Sequence, residues 1–168
     1  ILFVNGSMDL RLEGLTVANG RTPQNTTGAG LYNGCGNLTI RQCAFVRNGV
    51  NAFYFPYGGA IYSEGGSLTI LDSRFEGNTA TGYSAGVAVH ESVTIIQRST
   101  FLNNRITVNM GSGAVFLSTA PSFIIQDSNF ISNTATEVGG DLYSDCPMTL
   151  INNTFIANNP DGYCNDKS

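Results

Sequence analysis

Gln42, Asp72, Arg98, Asp127 and Asn152 each stand three residues before a phenylalanine, and those phenylalanines recur at regular intervals. If equivalent residues stack, Arg98 lies between Asp72 and Asp127. An arginine beside carboxylates, often with calcium, is what polysaccharide lyases use, so this triplet is the best catalytic candidate. The competing reading is an ion-pair ladder at a turn, which relieves the repulsion of a like-with-like stack, and it is the reading expected here. Glu64, Glu76, Glu91, Asp145 and Asp161 are scattered at turns without basic neighbours. Inverting glycosidases need two carboxyls roughly 6.5–9.5 Å apart, a condition that stacked acids can meet. His90 follows a strand with no Ser-x-Gly elbow and no nearby Asp, and it is expected in an exposed turn. With one Lys and one His in the chain, groups for acid–base work are few, and no catalytic role or cofactor is expected.

Cys35, Cys43, Cys146 and Cys164 form an even count with no C-x-x-C pair and no His to complete a metal site, which favours disulfides over zinc. Local pairing gives Cys35–Cys43 and Cys146–Cys164. Sequons at Asn5, Asn25, Asn37 and Asn152 add to this a secretory, extracellular setting with glycans. Two further groups carry a possible binding role. Thr39, Thr69, Thr94 and Thr149 form a narrow row, the minimal version of an ice-binding rank. Phe53, Tyr54, Phe55 and Tyr57 make an aromatic loop that either contacts a ligand or covers the next coil.

The elements that position these residues follow from a repeat. Five tetrads read Phe-x-x-Asn, with Phe45, Phe75, Phe101, Phe130 and Phe155 leading Asn48, Asn78, Asn104, Asn133 and Asn158. A glycine motif runs in step: Gly58-Gly59-Ala60-Ile61-Tyr62, Ala85-Gly86-Val87, Ser112-Gly113-Ala114-Val115-Phe116 and Gly139-Gly140-Asp141-Leu142-Tyr143, with a looser copy at Gly28-Ala29-Gly30-Leu31-Tyr32. Its second glycine falls at 59, 86, 113 and 140, a constant 27 residues. Between the two motifs sit triplets such as Leu38-Thr39-Ile40, Leu68-Thr69-Ile70 and Val93-Thr94-Ile95, whose apolar–polar–apolar order is that of a half-buried strand. No run carries a helical stripe, and Gly, Asn and Asp punctuate the strands.

Three short strands in about 27 residues make one turn of a solenoid, because a constant repeat stacks each strand on its own copy. The fold expected is all-β, a right-handed parallel β-helix of five to six coils forming a single domain. Residues 1–27 are a degenerate first coil, 28–159 five regular repeats and 160–168 a tail. Leu38, Leu68, Val93, Phe123 and Met148 should form one interior column and the five phenylalanines another. The five ladder asparagines should bond one to the next at a tight turn.

Composition agrees. Only 12% of residues are charged, against about 25% in an ordinary soluble domain, so the surface is one of amides, hydroxyls and glycine. Eight basic and 12 acidic residues give −4, with no basic–aromatic cluster of a nucleic-acid binder. Apolar runs are too short to span a bilayer, which needs about 20 residues. The first residue is Ile1, as in a processed product or a segment of something longer.

The alternation of Gly58–Ile61, Gly113–Val115 and the five Phe-x-x-Asn tetrads resembles the repeats of the chlamydial polymorphic outer membrane proteins and related β-helical surface proteins. The resemblance covers nearly the whole chain, weakening before residue 28 and after 159. Asp141 in place of the motif's Ala, the lost glycine of the third unit and the absence of a following barrel segment depart from it. It implies an exported adhesin passenger, attachment rather than catalysis, with no family catalytic residues to carry over. The expected role is therefore an extracellular structural or adhesive module. Other β-helix units, stacked end to end or in one longer chain, and cell-surface glycans or proteins are the expected partners.

Overall fold

The structure is a computed structural model describing residues 2–22, 27–51, 57–108, 111–136, 139–159 and the backbone of 163–165. The described residues form strands and turns and no helix. They lie in four parallel sheets of seven, six, six and four strands, each built from equivalent segments of successive coils. The third coil shows the plan: Ile61–Glu64, Ser67–Leu71, Arg74–Glu76 and Thr79–Ala80 contribute one strand to each sheet. Strand two of that coil pairs in register with strand two of both neighbours, so Leu68 faces Leu38 on one side and Thr94 on the other. Parallel, in-register stacking over five to six coils is the architecture expected of the repeat.

The fourth strand is an addition to the three-strand expectation. It is only two residues long, too short to carry a period, yet it encloses a core of its own. Val50, Ala80 and Ile106 pack there with Ala29, Ala85 and Ala135. The main core lies between the other three sheets. Phe45, Phe75, Phe101 and Phe130 are fully buried, with successive ring centroids 4.8–5.1 Å apart and Phe155 continuing the stack at 5.0 Å.

One interior column departs from expectation. Thr94, not Val93, lies in line with Leu38, Leu68 and Phe123. Thr94 is fully buried and Val93 is 42% exposed. In every coil the interior residue stands seven before the stacked phenylalanine, and this count overrides the likeness of Val-Thr-Ile to Leu-Thr-Ile. Because side chains alternate across a strand, the one-residue offset turns Val93 outward. The buried hydroxyl of Thr94 is satisfied by the Ser92 carbonyl at 3.3 Å. The glycine motif shifts in the same coil: Val87 pairs with Ile61, so Gly86 takes the place of Ala60, and Ala85 that of Gly59. Space at this column is scarce. A Cβ on Gly59 would come within 2.4 Å of the Ala85 carbonyl oxygen, and one on Gly86 within 2.2 Å of that of Ala114.

Candidate functional site

The corner between the second and third strands carries the catalytic candidate. Gln42, Asp72, Arg98, Asp127 and Asn152 all adopt left-handed backbone, with φ between 47° and 52°. That conformation costs a residue with a side chain about 1–2 kcal/mol, and the next residue offsets it. The backbone amides of Cys43, Ser73 and Ser99 each donate to the serine hydroxyl of the next coil, at 3.1–3.2 Å. Asn153 ends the row by accepting from the Ser128 amide at 2.9 Å. Each of these serine hydroxyls in turn donates to the carbonyl two residues earlier, at 2.7–2.9 Å. The corner is thus pinned from inside and its left-handed residues point outward.

Among those outward residues Arg98 and Asp72 meet in a bidentate pair, Nε–Oδ1 at 2.7 Å and Nη2–Oδ2 at 3.1 Å. The hydrogen bond from Arg98 holds the Asp72 carboxyl below the usual carboxylate range. Asp127 does not complete a triplet. It accepts from the Asn152 side-chain amide at 2.7 Å and contributes only a long-range pull on Arg98. The stacking order expected from the sequence is therefore present, and the polar atoms in it bond neighbouring coils.

The asparagine ladder forms as expected at the corner between the third and fourth strands. Asn48, Asn78, Asn104 and Asn133 each donate, from backbone amide and from Nδ2, to Oδ1 of the next asparagine at 2.8–3.2 Å. The second Nδ2 hydrogen goes to a carbonyl of the preceding coil: Val17 for Asn48, Phe45 for Asn78, Phe75 for Asn104, Phe101 for Asn133 and Phe130 for Asn158. In the first coil Gly20 takes the ladder position, and its amide donates to Asn48 Oδ1 at 2.9 Å.

The expected Cys35–Cys43 disulfide is not formed. Cys35 is an exposed free thiol and Cys43 a buried one. The strand Asn37–Arg41 runs between them, about 16 Å of extended chain, whereas a disulfide needs Cα atoms within about 7 Å. Cys43 instead occupies the first place of the serine row, its thiol against the Arg41 carbonyl at 3.2 Å. Cys146 is also a free, buried thiol, 3.3 Å from the Ser144 hydroxyl; the side chain of Cys164 lies outside the described residues.

Of the sequons, Asn5, Asn37 and Asn152 are exposed, and Asn25 lies outside the described residues. The side-chain nitrogens of Asn37 and Asn152 donate to Asp9 and Asp127, at 2.8 and 2.7 Å. The threonine row loses Thr94 to the interior, and Ile95 and Ile124 stand between Thr69 and Thr149, so no regular outward rank exists. Tyr57 covers the neighbouring coil, stacked on Tyr62 at 4.9 Å and on Tyr83 at 4.4 Å; Phe53, Tyr54 and Phe55 lie outside the described residues.

Two features escaped the sequence reading. One is an outer aromatic strip on the first sheet, Phe3, Tyr32, Tyr62, then Tyr57 and Tyr83 over Ala88, then Phe116 and Tyr143. Its signal was the Tyr or Phe closing four of the five glycine motifs, Tyr32, Tyr62, Phe116 and Tyr143. The other is the row Glu64, His90 and Ser118, adjacent in register at the ends of three first strands. His90 ends the strand Val87–His90 and is half-buried rather than in an exposed turn. Ser118 donates to Asp145 at 2.8 Å, not to His90. Among the described residues no three His, Cys, Asp or Glu gather as a metal site.

Neither a curated protein nor a solved structure matches the chain. The family description that does match, right-handed beta helix region, covers residues 2–155. That match spans nearly the whole chain and agrees with its stacked parallel coils, and the chain belongs to the right-handed beta helix family.

Proposed function

We propose that this chain is a rigid structural and adhesive module of the cell exterior, its coils serving as a spacer and its corners as the contact surface. One observation carries the reading: the chemistry-bearing side chains direct their hydrogen bonds along the axis to neighbouring coils. Arg98 is held by Asp72, Asp127 by Asn152, and the ladder asparagines by one another. The exposed sequons Asn5, Asn37 and Asn152 support a glycosylated, extracellular setting. So does the resemblance of the Gly-Gly-Ala and Phe-x-x-Asn alternation to chlamydial-type surface repeats. Exposed apolar side chains at the two ends, Phe3 and Met8 in the first coil and Ile151 and Ile156 in the sixth, support contact with further β-helical units.

The alternative is a polysaccharide-cleaving β-helix enzyme centred on Arg98, for which the pair of Arg98 with Asp72 is the supporting geometry. A panel of polysaccharides incubated with the wild type and with Arg98→Ala separates the two. Unchanged polymer in both samples is expected. Cleavage by the wild type that disappears in the variant, at an unchanged melting temperature, would overturn the structural reading.

A further inference from the structure

Most arginines of the described chain are ion-paired: Arg11 and Arg41 with Glu13, Arg74 with Glu76, and Arg98 with Asp72. Arg21, Arg47 and Arg105 are exposed and make no ion pair among the described residues. All three lie at the corner between the third and fourth strands. Of the described acids outside these pairs, Asp127 is held by Asn152 and Asp141 is buried. The other four, Asp9, Glu64, Glu91 and Asp145, lie in or beside the turn between the first and second strands, away from the corner that holds the three arginines. That turn carries no arginine; its carboxylates take neutral donors, Asn37 for Asp9, Tyr32 for Glu64, and Ser118 with the Thr119 amide for Asp145. The rod thus has one basic long edge and one acidic long edge.

The two edges also share a spacing. Arg21, Arg47 and Arg105 belong to the first, second and fourth coils, and Glu64, Glu91 and Asp145 to the third, fourth and sixth. A neighbour lying parallel and displaced by two coils, about 10 Å at the strand spacing, brings each arginine of one edge opposite an acid of the other. An antiparallel neighbour meets Glu91, Glu64 and Asp9 with the same intervals. We propose that the basic edge docks on the acidic edge of a second copy, so that rods associate side by side. The contact is heterologous: each pair leaves a free acidic edge on one copy and a free basic edge on the other, and such contacts extend into open arrays. The proposal requires only the stacked fold and is independent of the adhesive reading.

Sedimentation velocity of the whole chain over a concentration series tests it. In about 0.01 M salt, where charges are felt over about 30 Å, the weight-average mass should climb beyond that of a monomer; in 1 M salt, with about 3 Å of reach, it should fall back. The double variant Arg47→Asp with Arg105→Glu reverses the basic edge, and the variant Glu64→Lys with Glu91→Lys reverses the acidic one. Each alone should lose self-association, and an equimolar mixture should regain it, a result that misfolding cannot imitate. A wild type that stays monomeric at low salt, association that survives edge reversal, or association only upon adding a sulfated polysaccharide would each overturn the proposal.

Discussion

A ladder asparagine does three jobs at once, and its replacement separates them. Asn104 Oδ1 accepts both the backbone amide and Nδ2 of Asn78, at 3.1 and 2.9 Å, while its own Nδ2 reaches the Phe75 carbonyl and Asn133. Asn104→Leu fits the volume but leaves the buried amides of Asn78 without an acceptor. Each such orphaned group costs about 1–3 kcal/mol, so chemical denaturation should show a loss of several kcal/mol relative to wild type. Asn158→Leu removes the acceptor of Asn133 and the donor to the Phe130 carbonyl, but at this last rung the Nδ2 reaches no further asparagine, as that of Asn104 does, so it should cost distinctly less. Phe101→Ala probes the adjacent stack. Its ring sits between Phe75 and Phe130 at 4.8 and 4.9 Å, and emptying that site should cost about 3–5 kcal/mol. Equal losses for Asn104→Leu and Asn158→Leu would mean that the ladder does not act rung by rung.

Strands are the scale at which the repeat was legible and at which it misled. The five phenylalanines and five asparagines announced their own columns, because both demand a single environment: a flat stack for the ring and a paired donor and acceptor for the amide. The second strand was harder to place, since Val93-Thr94-Ile95 imitates Leu68-Thr69-Ile70 while sitting one residue off it. Counting seven residues back from Phe101 places Thr94 inside, so the register was recoverable from the position of the dominant side chain. The fourth strand and the serine row were not: a two-residue strand has no period, and Cys43, Ser73, Ser99, Ser128 and Asn153 differ in type while sharing one hydrogen-bonding role. At the candidate site the order Asp72, Arg98, Asp127 was readable, but which acid the guanidinium takes was not. The register has a direct test. Val93→Lys leaves its charge in water and should change stability by less than about 0.5 kcal/mol, whereas Thr94→Lys buries a charge in the apolar column and should prevent folding, as read by circular dichroism. Comparable tolerance at both positions would contradict the offset.

For the whole molecule, acid and alkali act on different faces. On the outer corner and third sheet, hydrogen bonds from Arg98 and Arg74 hold the Asp72 and Glu76 carboxyls below their ordinary range. A depressed folded-state pKa gives stability that is present above the unfolded value, about 3.9–4.3 for these groups, and that is lost as pH falls through the folded one. Both groups are only half-buried, so the effect is small and screened by salt. The aromatic strip works in the opposite sense. Burial raises the phenol of Tyr62 far above its ordinary value, with the Glu64 carboxylate adding to it, and Tyr32 and Tyr57 are raised for the same first reason. A phenol whose folded pKa is raised contributes stability that is complete below the unfolded value of about 10 and is lost as pH rises towards the folded one, because the unfolded chain releases its proton first. The rod should therefore be more sensitive to alkali than to acid. Its melting temperature should begin to fall above about pH 10, and phenolate absorbance should rise together with loss of the β-sheet circular dichroism signal. Tyr62→Phe keeps the stacking on Tyr57 and removes the titrating group, so its melting temperature should fall less over the same range. If the variant and wild type declined in parallel, the Tyr62 phenol would not be what limits the solenoid in alkali.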